Sequence, residues 1–212
     1  MLRLLPFLAV AAVLALPSAA GAATPSCTRG GAALLARGGD VFVVSIARKP
    51  KGQETRRDSV YGCRARTGKR FFMFASRDFG LDLIERDTFT IIDGRHVGVV
   101  RNFEGGISES RTGRTYDVVT RKRVRATTRC DRRDQGDFSG PYEVIFLSGG
   151  GIAYACNQLW VTDAKGERQL EPEGNDVRQL AVSNDGPFAQ RLYWTVYSGL
   201  NAETATVKSQ VL

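Results

Sequence analysis

The stretch GGGIAYACNQLWVTDAKGERQL, residues 149–170, constrains the fold more tightly than any other part of the chain. Ile152, Tyr154 and Cys156 alternate with Ala153 and Ala155, and a second apolar run, Leu159-Trp160-Val161-Thr162, follows after Asn157-Gln158. Period-two alternation on both sides of so short a break predicts a β-hairpin. The second strand ends at Asp163-Ala164-Lys165-Gly166. There Asp can hydrogen-bond its own turn, and Gly can take a positive φ that a Cβ makes costly. A third strand is expected to begin near Arg168.

Looser copies of this unit recur. A Gly-containing turn precedes a short apolar strand at Gly39-Asp40-Val41-Phe42-Val43-Val44, at Gly94-Arg95-His96-Val97-Gly98-Val99-Val100, and again at Gly186 before Leu192-Tyr193-Trp194-Thr195-Val196. Arg66-Thr67-Gly68-Lys69 and Arg111-Thr112-Gly113-Arg114 read as further inter-strand turns. The steps between copies are uneven but scatter around the ~40–50 residues of a four-stranded unit. The segment 47–58 reads as a solvated loop, and 76–87 as a connection without a clean period. The aromatic run Phe71-Phe72-Met73-Phe74 reads as an apolar core strand.

The runs IAYAC, LWVTDAKGERQL, VRQLAVSNDG and RLYW resemble the TolB-type, or WD40-like, β-propeller repeat. The positions that match its strand, strand, D-x-x-G, Leu, S-x-D-G pattern are Ile152, Ala153, Tyr154, Trp160, Val161, Asp163, Gly166, Leu170, Ser183, Asp185 and Gly186. The likeness covers about one repeat and a half and is best over residues 141–197. It implies an all-β chain folded as a small β-propeller-like array of about four blade-like repeats. A β-sandwich is the alternative for short strands and frequent turns, and the repeated strand–turn–strand unit argues against it. Such repeats are scaffolds, so the resemblance implies a fold and no activity.

The first residues, MLRLLPFLAVAAVLALPSAAGAA, combine an early Arg, an apolar run over 4–16, Pro17 as a breaker and small residues at 20–22. This is a signal-peptide pattern, with residues 1–22 removed and 23–212 forming one β-propeller-like domain that is secreted or periplasmic. The apolar run is shorter than the ~20 residues of a membrane span, so the chain is not expected to cross a membrane. Cys27, Cys63, Cys130 and Cys156 in an exported chain point to two disulfides. Three pairings are open, of which the local one, Cys27 with Cys63 and Cys130 with Cys156, is expected. No two cysteines lie at metal-ligand spacing and the single histidine is distant, so neither a metal site nor a cofactor is expected.

Chemistry finds little support in the residues. His96 is the one histidine and has no G-x-S-x-G elbow to supply a serine partner, so a structural role is expected. Asp82, Glu85, Asp87, Asp93, Glu104, Glu109 and Asp117 could supply a carboxylate pair for glycoside hydrolysis, but their spacing singles out none. Gly149-Gly150-Gly151 leads into a strand and lacks the following Lys-Ser/Thr of a phosphate loop, so it reads as a turn.

Charge is the feature with functional content. The chain is formally +8, and without Arg3 its 29 remaining bases against 22 acids leave +7. Arg121, Lys122, Arg123, Arg125, Arg129, Arg132 and Arg133 are crowded into one stretch, and a second basic cluster falls within residues 48–57. Alternation places Arg121, Arg123 and Arg125 on one face of an edge strand, with Lys122 and Val124 opposite. A basic edge serves either to block strand-to-strand aggregation or to draw an anionic partner through its field. Aromatic residues are absent from the basic runs, so nucleic acid is not the expected ligand. The reading is a secreted, non-catalytic binding module for anionic surface polymers or acidic protein partners; an extracytoplasmic hydrolase acting on glycans or peptides is the alternative.

Overall fold

The computed structural model describes residues 26–48, 57–77, 83–105, 108–128, 130, 138–184, 190–198 and 204–212. The signal-peptide segment, Arg129, Arg132, Arg133 and most of the 47–58 loop lie outside them. The described residues are all-β, with two short 3₁₀ turns and four separate antiparallel sheets. The first sheet holds β1 (Ala33–Gly38), β2 (Val41–Arg48), β3 (Arg57–Arg64) and β4 (Arg70–Arg77). The second holds β5 (Leu83–Ile92), β6 (His96–Gly105), β7 (Ser108–Asp117) and β8 (Lys122–Ala126), with the short β9 (Phe138–Ser139) alongside β7. The third is β10 (Glu143–Leu147), β11 (Gly151–Cys156), β12 (Gln158–Asp163) and β13 (Gly166–Glu171). The fourth has three strands, β14 (Asp176–Asn184), β15 (Gln190–Ser198) and β16 (Thr204–Val211).

Each sheet is a meander, and the sheets pack in chain order. Val41, Val43, Phe71, Met73 and Phe74 of the first sheet share a core with Val97, Val99 and Tyr116 of the second. Leu147, Ala153, Ala155 and Val161 of the third share one with Val177, Leu192 and Trp194 of the fourth. Between the second and third sheets, Phe146 and Val144 lie so close to β6 and β7 that a Cβ on Gly98 or Gly113 would overlap them. That is why Arg111-Thr112-Gly113-Arg114, expected to turn, runs straight through β7: Gly113 is there to admit Val144. The first strands meet in sequence, β1 against β5, β5 against β10, and β10 against β14.

The clarity of the 149–170 pattern now has a cause. Every residue of β11 is buried, Ile152, Tyr154 and Cys156 on the face toward the second sheet and Ala153 and Ala155 on the face toward the fourth. A strand covered on both sides has no solvated position to blur its alternation. The two disulfides are Cys27–Cys63 and Cys130–Cys156, the local pairings. The first ties the 3₁₀ turn Ser26–Thr28 over β3; the second ties the segment after β8 to β11. Of the aromatic run, Phe71, Met73 and Phe74 are core but Phe72 is 57% exposed, standing edge-on to Tyr61. The connection expected over 76–87 is largely strand, ending β4 and opening β5.

Candidate functional site

The basic stretch sits where the sequence placed it, on an edge: β8 is the last strand of the second sheet. Its facing is different. The register steps from Thr115↔Arg125 to Tyr116↔Arg123, so Val124 is an extra residue in a β-bulge. Tyr116 is in the core shared with the first sheet, whereas Thr115 turns the other way and donates to the Gly150 carbonyl of the third sheet at 2.7 Å. Arg123 and Arg125 therefore lie on opposite faces, and Arg121 lies in the turn before β8 with φ of 60°. The single face expected for Arg121, Arg123 and Arg125 does not form, because a bulge resets the period-two alternation.

The four described cations split accordingly. Arg125 reaches the third sheet, its Nε and Nη2 donating to the Asp163 carbonyl at 3.2 and 2.9 Å. Asp163 is itself held by Arg168 at 2.7 Å, which with burial opposing keeps its carboxyl below the ordinary range. Arg125 is thus a strap between sheets. Arg121, Lys122 and Arg123 are exposed, and their side chains have no hydrogen bond or ion pair among the described residues. The turn that leads into them is braced: the buried Asp117 accepts from Val119 N at 2.7 Å, Thr120 N at 3.2 Å and Arg95 at 2.6 Å. Burial opposes ionisation of Asp117, but these donors outweigh it and hold its carboxyl well below the usual range.

His96 is buried, with Nδ1 3.0 Å from both carboxylate oxygens of Asp93. The same carboxylate accepts the Gly149 amide at 2.7 Å, and a Cβ on Gly150 would press into the imidazole. The histidine and the glycine run, which the sequence offers as unrelated, lock the β5–β6 hairpin to the β10–β11 connection. Among the acids, Glu85 and Asp87 converge, and both pair with Arg101, at 3.0 Å for Asp87, while Arg101 stacks over Phe74 at 4.2 Å. Burial pushes Asp87 up to about 6 against the pull of Arg114, and burial brings Arg101 down to about 10. One cation between two carboxylates in a sheet-to-sheet seam is spent on packing. Among the described residues, no group of three or more His, Cys, Asp or Glu side chains could hold a metal ion.

Sequence reasoning missed Glu171, which opens the turn-forming run Glu171-Pro172-Glu173-Gly174. The carboxylate is buried at the end of β13 and accepts from Trp194 Nε1 at 2.9 Å, Lys208 Nζ at 2.7 Å and Asn175 Nδ2 at 2.9 Å. Burial raises the cost of its charge, but these three donors outweigh that and keep it ionised below the ordinary range. It also missed a cleft of about 510 Å³ where the second, third and fourth sheets converge, lined among others by Thr88, Asn102, Arg111, Glu143, Gln179 and Leu180. These positions are scattered over five strands, and no local pattern connects them.

No family model matches the chain, and no curated protein does. Among solved structures, it is similar to the α-L-arabinofuranosidase Arb93A of Fusarium graminearum at 9% identity and a TM-score of 0.26, over 81% of this chain and 71% of that one. It is similar to Porphyromonas gingivalis dipeptidyl peptidase 4 at 11% identity and a TM-score of 0.26, over 82% of this chain but 44% of that one. Superposition this loose assigns neither a fold family nor an activity.

Proposed function

We propose that the chain is an extracytoplasmic, non-catalytic binding module that holds an anionic polymer or an acidic protein surface through Arg121, Lys122 and Arg123. The observation that carries this is their state: three consecutive exposed cations on a braced turn and edge strand, none paired with a neighbour among the described residues. Clustered positive charge without internal partners attracts anions by its field, and a fixed platform limits the entropy lost on binding. The reading takes the four meander sheets, their first strands meeting in order, as an open propeller-like array of the TolB-like kind. Arg129, Arg132 and Arg133 follow closely in sequence and extend the basic run. Two disulfides fit an oxidising compartment, and no helix among the described residues is long and apolar enough to cross a membrane.

The hydrolase reading needs a polar pocket holding His96 beside a serine, or two convergent carboxylates free to act. His96 faces Gly150 and Asp93, and Glu85 with Asp87 is committed to Arg101. The binding reading is tested by retention of the mature protein on immobilised polygalacturonate across a salt series. Wild type is expected to elute as ionic strength rises through about 0.1–0.15 M, where the Debye length is about 8–10 Å. The variant with Arg121, Lys122 and Arg123 all changed to Ser is expected in the flow-through. Equal retention of the two proteins sinks the proposal.

A further inference from the structure

The cleft between the second, third and fourth sheets contains one strained backbone position. In β14 the register steps from Arg178 to Ala181, leaving Gln179 and Leu180 in a bulge, and Gln179 has φ of 58°. Residues with a Cβ rarely adopt this conformation, and such strain collects where a side chain must be aimed. Here it is held from two sides. The Glu143 carboxylate accepts both the Gln179 and Leu180 amides, at 2.9 and 2.7 Å, and Thr195 Oγ1 donates to Gln179 Oε1 at 3.0 Å.

The charged groups of the cleft are already engaged. Glu143 uses both oxygens on β14, and Arg111 donates from Nε to Asn102 Oδ1 at 2.6 Å and from Nη1 to the Tyr142 carbonyl. Because Arg111 Nε can only donate, it fixes the Asn102 amide with its NH₂ turned away from the guanidinium. That NH₂, the Gln179 NH₂ and the Thr88 hydroxyl have no partner among the described residues. The formal charges of Glu143 and Arg111 offset each other, and the donors left for a ligand are uncharged: two amides and a hydroxyl, beside an apolar wall of Val100, Ile145 and Leu180. A volume of about 510 Å³ lies in the range of small-molecule sites.

We propose that this cleft binds a neutral saccharide. The ring hydroxyls accept from Asn102 and Gln179, and the C–H face of a pyranose lies on the aliphatic wall. The site is separate from the basic edge, and its failure leaves the polyanion reading untouched.

The probes are glucose, galactose, N-acetylglucosamine and cellobiose, with a blocked tri-alanine peptide and galacturonate as contrasts, each titrated to about 10 mM, a range that detects the weak affinities of small ligands. The readout is the ¹H–¹⁵N signals of the Asn102 and Gln179 side-chain amides. At least one neutral sugar is expected to shift both signals saturably. Gln179→Gly keeps the backbone amide on Glu143, suits the positive φ and deletes the donor. It is expected to leave Tm within about 4 °C, since relief of the positive φ is offset by the lost Thr195 bond, and to weaken sugar binding about tenfold. Absence of shifts with every sugar, shifts with the peptide or galacturonate alone, or sugar binding unchanged in Gln179→Gly would each overturn the proposal.

Discussion

The two outer edges β8 and β16 are built alike on one side and unlike on the other. Each sends one cation inward to the hairpin formed by β12 and β13 of the third sheet, Arg125 to the Asp163 carbonyl and Lys208 to the Glu171 carboxylate. Outward, β8 is short and bulged, and Arg121, Lys122 and Arg123 stand exposed on it or its turn. β16 pairs with β15 without a break over eight residues, all exposed, and its one basic side chain is the Lys208 already engaged by Glu171. The difference teaches that a cation on an edge strand is not by its position a binding residue. Its partner decides, and the two straps belong to the stability of the molecule while the three cations that have no partner among the described residues belong to its surface.

The largest effect is expected at Glu171. Changing it to Ala leaves the buried Trp194 N–H and the half-exposed Lys208 without their acceptor, and should cost about 3 kcal/mol in urea unfolding. A loss below about 1 kcal/mol would mean that β16 is held by its ladder alone, and the likeness between the straps would fail.

Acid separates the straps next. Glu171 is held below its ordinary value of 4.5, so its contribution is complete above that pH and is lost as pH falls through the folded-state value. The Asp163 carbonyl does not titrate. Amide exchange, corrected for its intrinsic pH dependence, should therefore show β16 opening more readily between pH 5 and about 3 while β8 keeps its protection. The change should be smaller than in Glu171→Ala, since a neutral carboxyl still accepts from Trp194. Equal loosening of both edges breaks the distinction.

What could be read in advance follows burial. The β11–β12 hairpin and the local pairing of the cysteines were legible, because a strand covered on both faces states its period in the chain itself. Arg125 was not. Its facing is set by the extra residue Val124, and a bulge answers to the partner strand and to the reach for Asp163 rather than to neighbours in sequence. Gly113 looked like a turn residue, since the reason for its missing side chain is Val144, far along the chain. Glu171 sits in a Glu-Pro-Glu-Gly run that reads as solvent-facing, and only Trp194 and Lys208 from the fourth sheet show why its charge is buried. The basic edge was legible as charge, but the division of its cations into strap and surface was not.

The smallest changes test the central claim most directly, because they exchange two arginines two positions apart on the same strand. Affinity for polygalacturonate is measured against salt for Arg123→Ser and Arg125→Ser, alongside thermal unfolding of each. Arg123→Ser is expected to flatten the dependence of log affinity on log salt by about one counterion and to leave Tm within about 2 °C. Arg125→Ser is expected to keep the wild-type slope while losing about 1–2 kcal/mol of stability, the worth of a half-buried charge-assisted bond. If both variants flatten the slope equally, or Arg125→Ser alone does, the division between strap and binding surface is contradicted.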